Sequence, residues 1–334
     1  MIPQLFPDNE YATADEHVLT IGNFDGVHRG HQHLLNEVVS AAHARGARSG
    51  ALTFDPLPLE VLRPEVSPPR LVTTNDRLQL IKAVGIDTVV PIHFSIEVAA
   101  LEARQFIEQV ARAFRPVEII VGADFAFGRG RSGNVEVLRT LGEEFGYRLR
   151  VVERIGDEAE DFSSSRVRAS LMTGDVQRAA AVLGRPYFLR GTVVEGQRRG
   201  RELGFPTANL SLNGNFVVPA DGIYAAMTQT SLRDELCASM VYVGTNPTFA
   251  ENSRVIEVNL INFDGDLYGS ELVVLFAERV RGDQRFDSVE QLIAQMHRDQ
   301  ETTIPSLGSL SSDWPGAPLR KILRIGKGAL TGDR

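Results

Sequence analysis

Two histidines, His28 and His31, close a glycine-punctuated stretch, Val18 to Leu35, that reads VLTIGNFDGVHRGHQHLL. Val18 to Ile21 is a short β-branched run suited to a buried strand, and Gly22, Gly26 and Gly30 mark the turn after it. From His28 onward His28, His31, Leu35, Val38 and Ala42 recur at helical spacing, which predicts both imidazoles on the stripe that docks onto a sheet. Imidazoles there would share the helix start with free backbone N–H groups and the positive end of a dipole, an arrangement that suits a phosphate group. Glycines let such a ligand approach the backbone closely. His33 points the other way round the helix, toward the surface. The spacing is neither the GxGxxG of dinucleotide folds nor a P-loop with its Gly-Lys-Ser/Thr ending, so the site is expected to be a nucleotide site of another kind.

Three further stretches carry chemistry. Asp161 to Ser170, DFSSSRVRAS, opens a helix with hydroxyls, which are good caps, and two arginines, whose planar fork suits phosphate. Gly191 to Asn209 sets Gly196, Gly200 and Gly204 among arginines, a basic loop able to wrap phosphates with backbone amides. On the strand-like run Arg254 to Ile261, residues Ile256, Val258 and Leu260 share one face, which aims Glu257 and Asn259 to the other.

The elements that must position these groups follow from pattern. A chain of 334 residues with 43% hydrophobic content is long enough for about two domains on the usual size prior. A net charge of −8 without a long basic stripe argues against nucleic acid as a partner. Cys237, the single cysteine, excludes an internal disulfide and a cysteine-based metal cluster and fits a reducing compartment. With no signal-like start and no apolar run of membrane length, a cytoplasmic protein with no membrane partner is expected; a homo-oligomer is left open.

From Val18 to about Arg154, candidate strands at Val18–Ile21, Ser49–Phe54, Thr88–His93, Val117–Val121 and Arg148–Val152 alternate with amphipathic helices at His31–Arg45, Asp76–Val84, Leu101–Phe114 and Asn134–Phe145. Such alternation predicts an α/β fold with a mostly parallel sheet, whose ligands gather at the carboxyl ends of the strands. A helix at Asp175–Leu183 ends at Gly184, and the character changes near Arg185. Beyond it lie strands at Tyr187–Val194, Gly222–Thr228, Ala238–Val243, Arg254–Asn262 and Glu271–Arg279, then a helix at Ser288–Arg298. Their spacing suits an antiparallel barrel or sandwich. The halves share no repeat, so they are different modules.

The string Thr20 to His31, TIGNFDGVHRGH, resembles the opening of the prokaryotic bifunctional riboflavin kinase/FMN adenylyltransferases, and later strings extend the likeness. Thr53 to Pro58 resembles the family's Phe-Asp-Pro-x-Pro turn, with Leu57 where many relatives carry a polar residue; Val121 to Gly128 resembles its flavin-side loop. Ser163 to Arg168 is similar to its Ser-Ser-Thr-x-x-Arg signature, with Ser165 in place of Thr. Gly204 to Asn209, GFPTAN, resembles the riboflavin kinase signature, and Val243 to Phe249 and the Glu257 strand match the same half. After Asp299 the likeness ends in a Ser-, Gly- and Pro-rich run with Trp314 and a basic patch at Arg320, Lys321 and Arg324.

The resemblance implies a nucleotidyltransferase-like (Rossmann-like) domain over 1–184, a riboflavin-kinase β-barrel over 185–300, and a flexible tail over 301–334. It implies that ATP phosphorylates riboflavin to FMN and that a second ATP adenylylates FMN to FAD, with Mg²⁺ as cofactor. Glu257 is the implied general base of the kinase, with Thr207 and Asn209 holding Mg²⁺ and Gly196, Gly200, Gly204 and Asn246 lining the nucleotide site. His28 and His31 are the implied catalytic pair of the transferase. Gly22, Phe24, Asp25 and Gly30 are read around ATP, Asp124 and Phe125 around FMN, and Ser163, Ser164 and Arg168 on phosphates, with Arg166 turned to solvent. Three alternatives stand beside this reading: a chain that retains one activity, a flavin sensor without catalysis and, disfavoured by the negative charge, a nucleic-acid-binding regulator.

Overall fold

The computed structural model describes residues 3–6, 14–158, 160–196, 204–245 and 254–308. They fall into two compact units, one formed by the chain up to Pro68 with Thr74–Ser163, the other by Pro69–Thr73 with the chain from Ser164 onward.

In the first unit, strands β1 (His17–Ile21), β2 (Arg48–Asp55), β3 (Thr88–His93), β4 (Pro116–Gly122) and β5 (Arg148–Val152) form a parallel sheet in the order β3-β2-β1-β4-β5. Every residue of β1 is buried, as a parallel strand covered on both faces requires. The helices are α1 (Arg29–Arg45), α2 (Pro58–Leu62), α3 (Thr74–Val84), α4 (Ile96–Ala99), α5 (Ala103–Phe114) and α6 (Val135–Phe145). α5 buries Ala103, Phe106, Ile107, Val110 and Phe114 at three- and four-residue spacing, in one cluster with Leu19, Ile21, Leu52, Ile119 and Val121 of the sheet. Because β2 and β3 extend from one side of β1, and β5 lies beyond β4 on the other, the strand order reverses between β1 and β4. In open α/β sheets that reversal opens the ligand crevice at the carboxyl ends.

The stretch from Val18 to Leu35 therefore leads into that crevice, and α1 is fixed there from both ends. Its inward stripe is Leu35, Val38 and Ala42. Gly46, at φ 65°, closes the far end by donating its N–H to the Ala42 and His43 carbonyls. Arg45 pairs with buried Glu118 on β4 at 3.0 Å, and Arg150 on β5 reaches Glu37 at 3.0 Å. The helix begins at Arg29, two residues before the His31 start expected for it, and His28, counted on the helical stripe, is its N-cap in extended conformation.

In the second unit α7 (Ser164–Met172) and α8 (Val176–Leu183) precede a closed antiparallel barrel of β6 (Tyr187–Val194), β7 (Ala208–Ser211), β8 (Gly222–Thr230), β9 (Arg233–Thr245), β10 (Arg254–Leu260) and β11 (Glu271–Arg281), ordered β10-β7-β6-β11-β8-β9. β7 was not expected; it is four residues long and begins on the last two residues of the GFPTAN string. The final helix, α9 (Val289–Gly308), outruns the expected Ser288–Arg298 and takes Glu301 to Pro305 into helix where a flexible tail from residue 301 was expected. Two features hold it. Arg281 Nε and Nη2 donate to Asp299 at 3.0 and 2.8 Å, and Thr303 and Leu307 are buried beyond it. These contacts offset the backbone hydrogen bond that Pro305 removes. Residues 309–334, with Trp314 and the basic patch, lie outside the described residues.

Candidate active sites

The first site is the turn that joins β1 to α1. Phe24 (φ 52°), Gly26 (φ 76°) and Val27 (φ 41°) all take left-handed backbone, which is costly for Phe and more so for β-branched Val. Side chains brace the turn. Thr53 Oγ1 and Arg77 Nη1 both donate to the Asn23 carbonyl, at 3.1 and 3.2 Å, and Gln32 Nε2 donates to the Val27 carbonyl at 2.8 Å. The resulting bend carries Phe24 inward, 1% exposed, with its ring lying against Gly22 and edge-on to His31 at 5.3 Å. Phe24 thus offers a ligand its backbone rather than its ring, and Asp25 is likewise buried.

The two imidazoles stack with centroids 3.6 Å apart at 25°. His28, buried, accepts the His31 N–H through Nδ1 at 3.4 Å, so it caps the helix whose orphan donors it adjoins. Gly30 is fitted tightly: a Cβ there would lie 3.1 Å from both His28 Nδ1 and the Phe162 carbonyl. Burial, and then the neighbouring His28, hold the His31 pKa well below the ordinary imidazole value, so His31 is a neutral imidazole at pH 7. Among the described residues His31 Nδ1 is buried without a hydrogen-bond partner.

A pH dependence of stability follows with a definite sign. The unfolded chain takes up a proton at His31 below about pH 6.5, which the folded chain resists. We predict that this group's contribution is complete above that pH and falls on acidification by up to about 1.4 kcal/mol per pH unit. Urea unfolding of wild type and His31→Gln between pH 5 and 7.5 measures it, the variant showing the shallower decline; equal slopes would contradict a neutral His31.

After β4, Asp124 is exposed and pairs with Arg154 at 2.8 Å, while Phe125 is half-buried and stacks on buried Phe127 at 5.3 Å. Arg29 lies over the Phe162 ring at 4.6 Å. Ser163 ends the first unit and Ser164 opens α7 in the second. Arg168 Nε donates to the Pro69 carbonyl at 2.8 Å. Arg166, expected in solvent, is 8% exposed, because it lies on the buried stripe of α7 with Val167, Ser170 and Leu171.

The second site is built on β7 and β10. Glu257 pairs with Asn209 across the antiparallel ladder and with Tyr242 of β9 on its other side. Thr207 Oγ1 donates to Glu257 Oε2 at 3.2 Å. Ile256, Val258 and Leu260 are buried as the alternation requires, and Glu257 is half-buried on the opposite face. Asn259, on the same side as Glu257, is buried because its Nδ2 donates to the Pro206 carbonyl at 2.8 Å. A Cβ on Gly196 would run into the Asn209 amide, which explains a glycine there. Desolvation, and then the nearby Asp283, Asp221 and Glu257 carboxylates, raise the Tyr242 pKa, so this neighbour of Glu257 stays a phenol. Beside these residues a cavity of about 360 Å³ is lined by Gly204, Phe205, Pro206, Asn259, His297 and Gln300 among others. The His297 ring meets Phe205 edge-on at 4.9 Å. Gly200 and Asn246 lie outside the described residues.

Sequence reasoning missed Arg77, Gln32 and the Arg281–Asp299 pair. What marks Arg77 is its 2% exposure within a helix, and burial is not legible from a single sequence, so no sequence signal pointed to it.

Comparison with known proteins agrees with this division. The FAD synthetase family model matches residues 10–166 and the riboflavin kinase model residues 183–307. The bifunctional riboflavin kinase/FMN adenylyltransferase of Bacillus subtilis is 31% identical, covering 88% of this chain and 93% of its own length. The Escherichia coli K12 protein of the same name is 36% identical, covering 85% and 91%. A crystal structure described as a macrolide-efflux protein from Streptococcus pneumoniae superposes with a TM-score of 0.80 at 32% identity, covering 88% of this chain and 95% of the other. Among the described residues no helix is long and apolar enough to cross a membrane. The chain belongs to the bifunctional riboflavin kinase/FMN adenylyltransferase family.

Proposed function

We propose that this chain makes FAD in two ATP-dependent steps, one on each site. In the kinase step Glu257 takes the proton from the ribityl 5′-hydroxyl of riboflavin as that oxygen attacks the γ-phosphorus of ATP, giving FMN and ADP. The observation that carries this is the meeting of Glu257 with Asn209 on paired strands and with Thr207 just ahead of one of them, a carboxylate beside a hydroxyl and an amide. Thr207 and Asn209 would hold Mg²⁺; both offer the hard oxygen donors this ion prefers, and Asn209 is packed so closely that only a glycine fits at position 196. When bound, the ion neutralises charge on the phosphates. Gly196, Gly200, Gly204 and Asn246 are the residues assigned to the nucleotide.

In the transferase step the FMN phosphate attacks the α-phosphorus of ATP and pyrophosphate leaves. The nucleophile is already an anion, so no strong base is needed, and the work left is positioning plus charge stabilisation. His28 and His31, with Gly22, the Phe24 and Asp25 backbone and Gly30, receive the ATP phosphates at the start of α1. Supporting this are the unpartnered His31 Nδ1 and the absence of acidic residues from the first turn of that helix. Asp124 and Phe125 line the FMN side, and Ser163, Ser164 and Arg168 bind phosphate. The transferase domain is taken as 1–184 and the kinase barrel as 185–300, extended by the rest of α9. The setting is cytoplasmic, the partners are small molecules, and a net charge of −8 speaks against nucleic acid.

Incubation of the purified protein with riboflavin, ATP and Mg²⁺, followed by separation of the flavins, tests the reading. FMN is expected first and FAD after it. FMN alone would remove the second activity; unchanged riboflavin, with FAD formed from supplied FMN, would remove the first. Flavin bound but unchanged in both assays would favour a sensor.

A further inference from the structure

We infer that Arg77 is a positioning residue for adenylyl transfer, holding the strained turn that presents the histidine pair. This rests on the transferase reading given above. Arg77 sits on α3 and is 2% exposed, yet it carries a full charge. A buried arginine is a poor way to gain stability, since an apolar side chain of similar volume often serves as well or better. What this one does is geometric. Nη1 donates to the Asn23 carbonyl at 3.2 Å and Nη2 to the Phe54 carbonyl at 2.6 Å. One rigid guanidinium thus bridges the turn after β1 and the end of β2, the two strand ends whose sequences carry the phosphate and Asp-Pro motifs.

The Asn23 carbonyl is the last fixed point before the chain enters its left-handed run at Phe24, Gly26 and Val27. Backbone of that kind persists only where its surroundings over-determine it. The restraints here include the Arg77 and Thr53 bonds to Asn23 at one end, the Gln32 bond to Val27 at the other, and the Val27 N–H bond to the Phe24 carbonyl within the turn. Their product is the inward Phe24 ring, edge-on to His31, which in turn stacks on His28. Release of Asn23 lets Phe24 relax toward ordinary φ, and the ring that backs His31 moves with it. Lysine cannot substitute, because a single ammonium lacks the planar fork that reaches two carbonyls at once.

The test uses the full chain as Arg77→Met and Arg77→Lys, and reads three quantities on each preparation: FAD formed from FMN and ATP, FMN formed from riboflavin and ATP, and the imidazole ¹⁵N signals of the seven histidines. The expected result for Arg77→Met is a loss of about 100-fold in adenylylation kcat, the scale of a misplacement near 1 Å. Riboflavin phosphorylation stays within about twofold, and the His28 and His31 signals shift while His297 stays in place. Arg77→Lys is expected to fall between the two, with the same signals displaced. Wild-type adenylylation in either variant overturns the inference, as does lost adenylylation with unmoved His28 and His31 signals. If Arg77→Met fails to fold, Arg77→Lys decides by the same criteria. Failure of the underlying reading is distinguishable, because wild type would then form no FAD at all while the histidine signals still report the clamp.

Discussion

Glu257→Gln is expected to lower riboflavin phosphorylation by about 10²- to 10⁴-fold while the same preparation adenylylates supplied FMN at the wild-type rate. Glutamine is the informative replacement. Its amide oxygen still accepts the Thr207 hydroxyl now bonded at 3.2 Å, and its length preserves the ladder positions opposite Asn209 and Tyr242. What disappears is the ability to accept the proton of the attacking hydroxyl. That interaction exists only on the way to the transition state, so kcat is expected to fall with the KM for riboflavin little changed. FMN released per unit time, measured in parallel with FAD made from supplied FMN, separates the outcomes. Retained phosphorylation would place the base elsewhere. Loss of both activities in a folded variant would mean that the two sites are not independent.

Much of this molecule was legible before any coordinates, for reasons that differ by element. Thr88–His93, Arg148–Val152 and Tyr187–Val194 were bounded correctly because β-rich runs end there at clear turn signals. The alternation of Ile256, Val258 and Leu260 was enough to aim Glu257 away from the core, since side-chain direction in a strand depends only on parity. The four-residue β7 was not legible, because its pairing with β6 and β10 is non-local and its own sequence reads as loop. α9 was cut short for the opposite reason. A local breaker, Pro305, outweighed in sequence what Arg281, Thr303 and Leu307 supply in three dimensions. His28 was counted on the helical stripe while the helix itself was expected from His31, because periodicity cannot tell a cap from a first turn; only its extended backbone and its bond from the His31 N–H do so. The candidate site residues could be named from type and spacing, while those that brace them, Arg77 and Gln32 above all, bond to backbone carbonyls and leave no pattern.

The second large effect concerns that histidine pair, and its design follows from the cap. His28→Ala would remove the acceptor that His31 N–H uses, costing about 1 kcal/mol of helix stability and confusing chemistry with folding. His28→Asn restores a side chain that caps well, so the double variant His28→Asn/His31→Ala deletes both imidazoles and leaves α1 closed at its start. With them go the donors at the place where charge gathers on the phosphoryl oxygens. Removal of one such donor commonly lowers kcat by about 10²- to 10³-fold, and two are expected to do at least as much. Because His31 is held neutral by burial, the single variant His31→Ala should lose rate equally across pH 6.5 to 8, with no new titration in its profile. In the double variant riboflavin is expected to accumulate as FMN, with FAD falling to the detection limit and phosphorylation unchanged. FAD formed at the wild-type rate would remove the pair from the reaction, and a pH-dependent loss at His31 would show that it acts there as a cation after all.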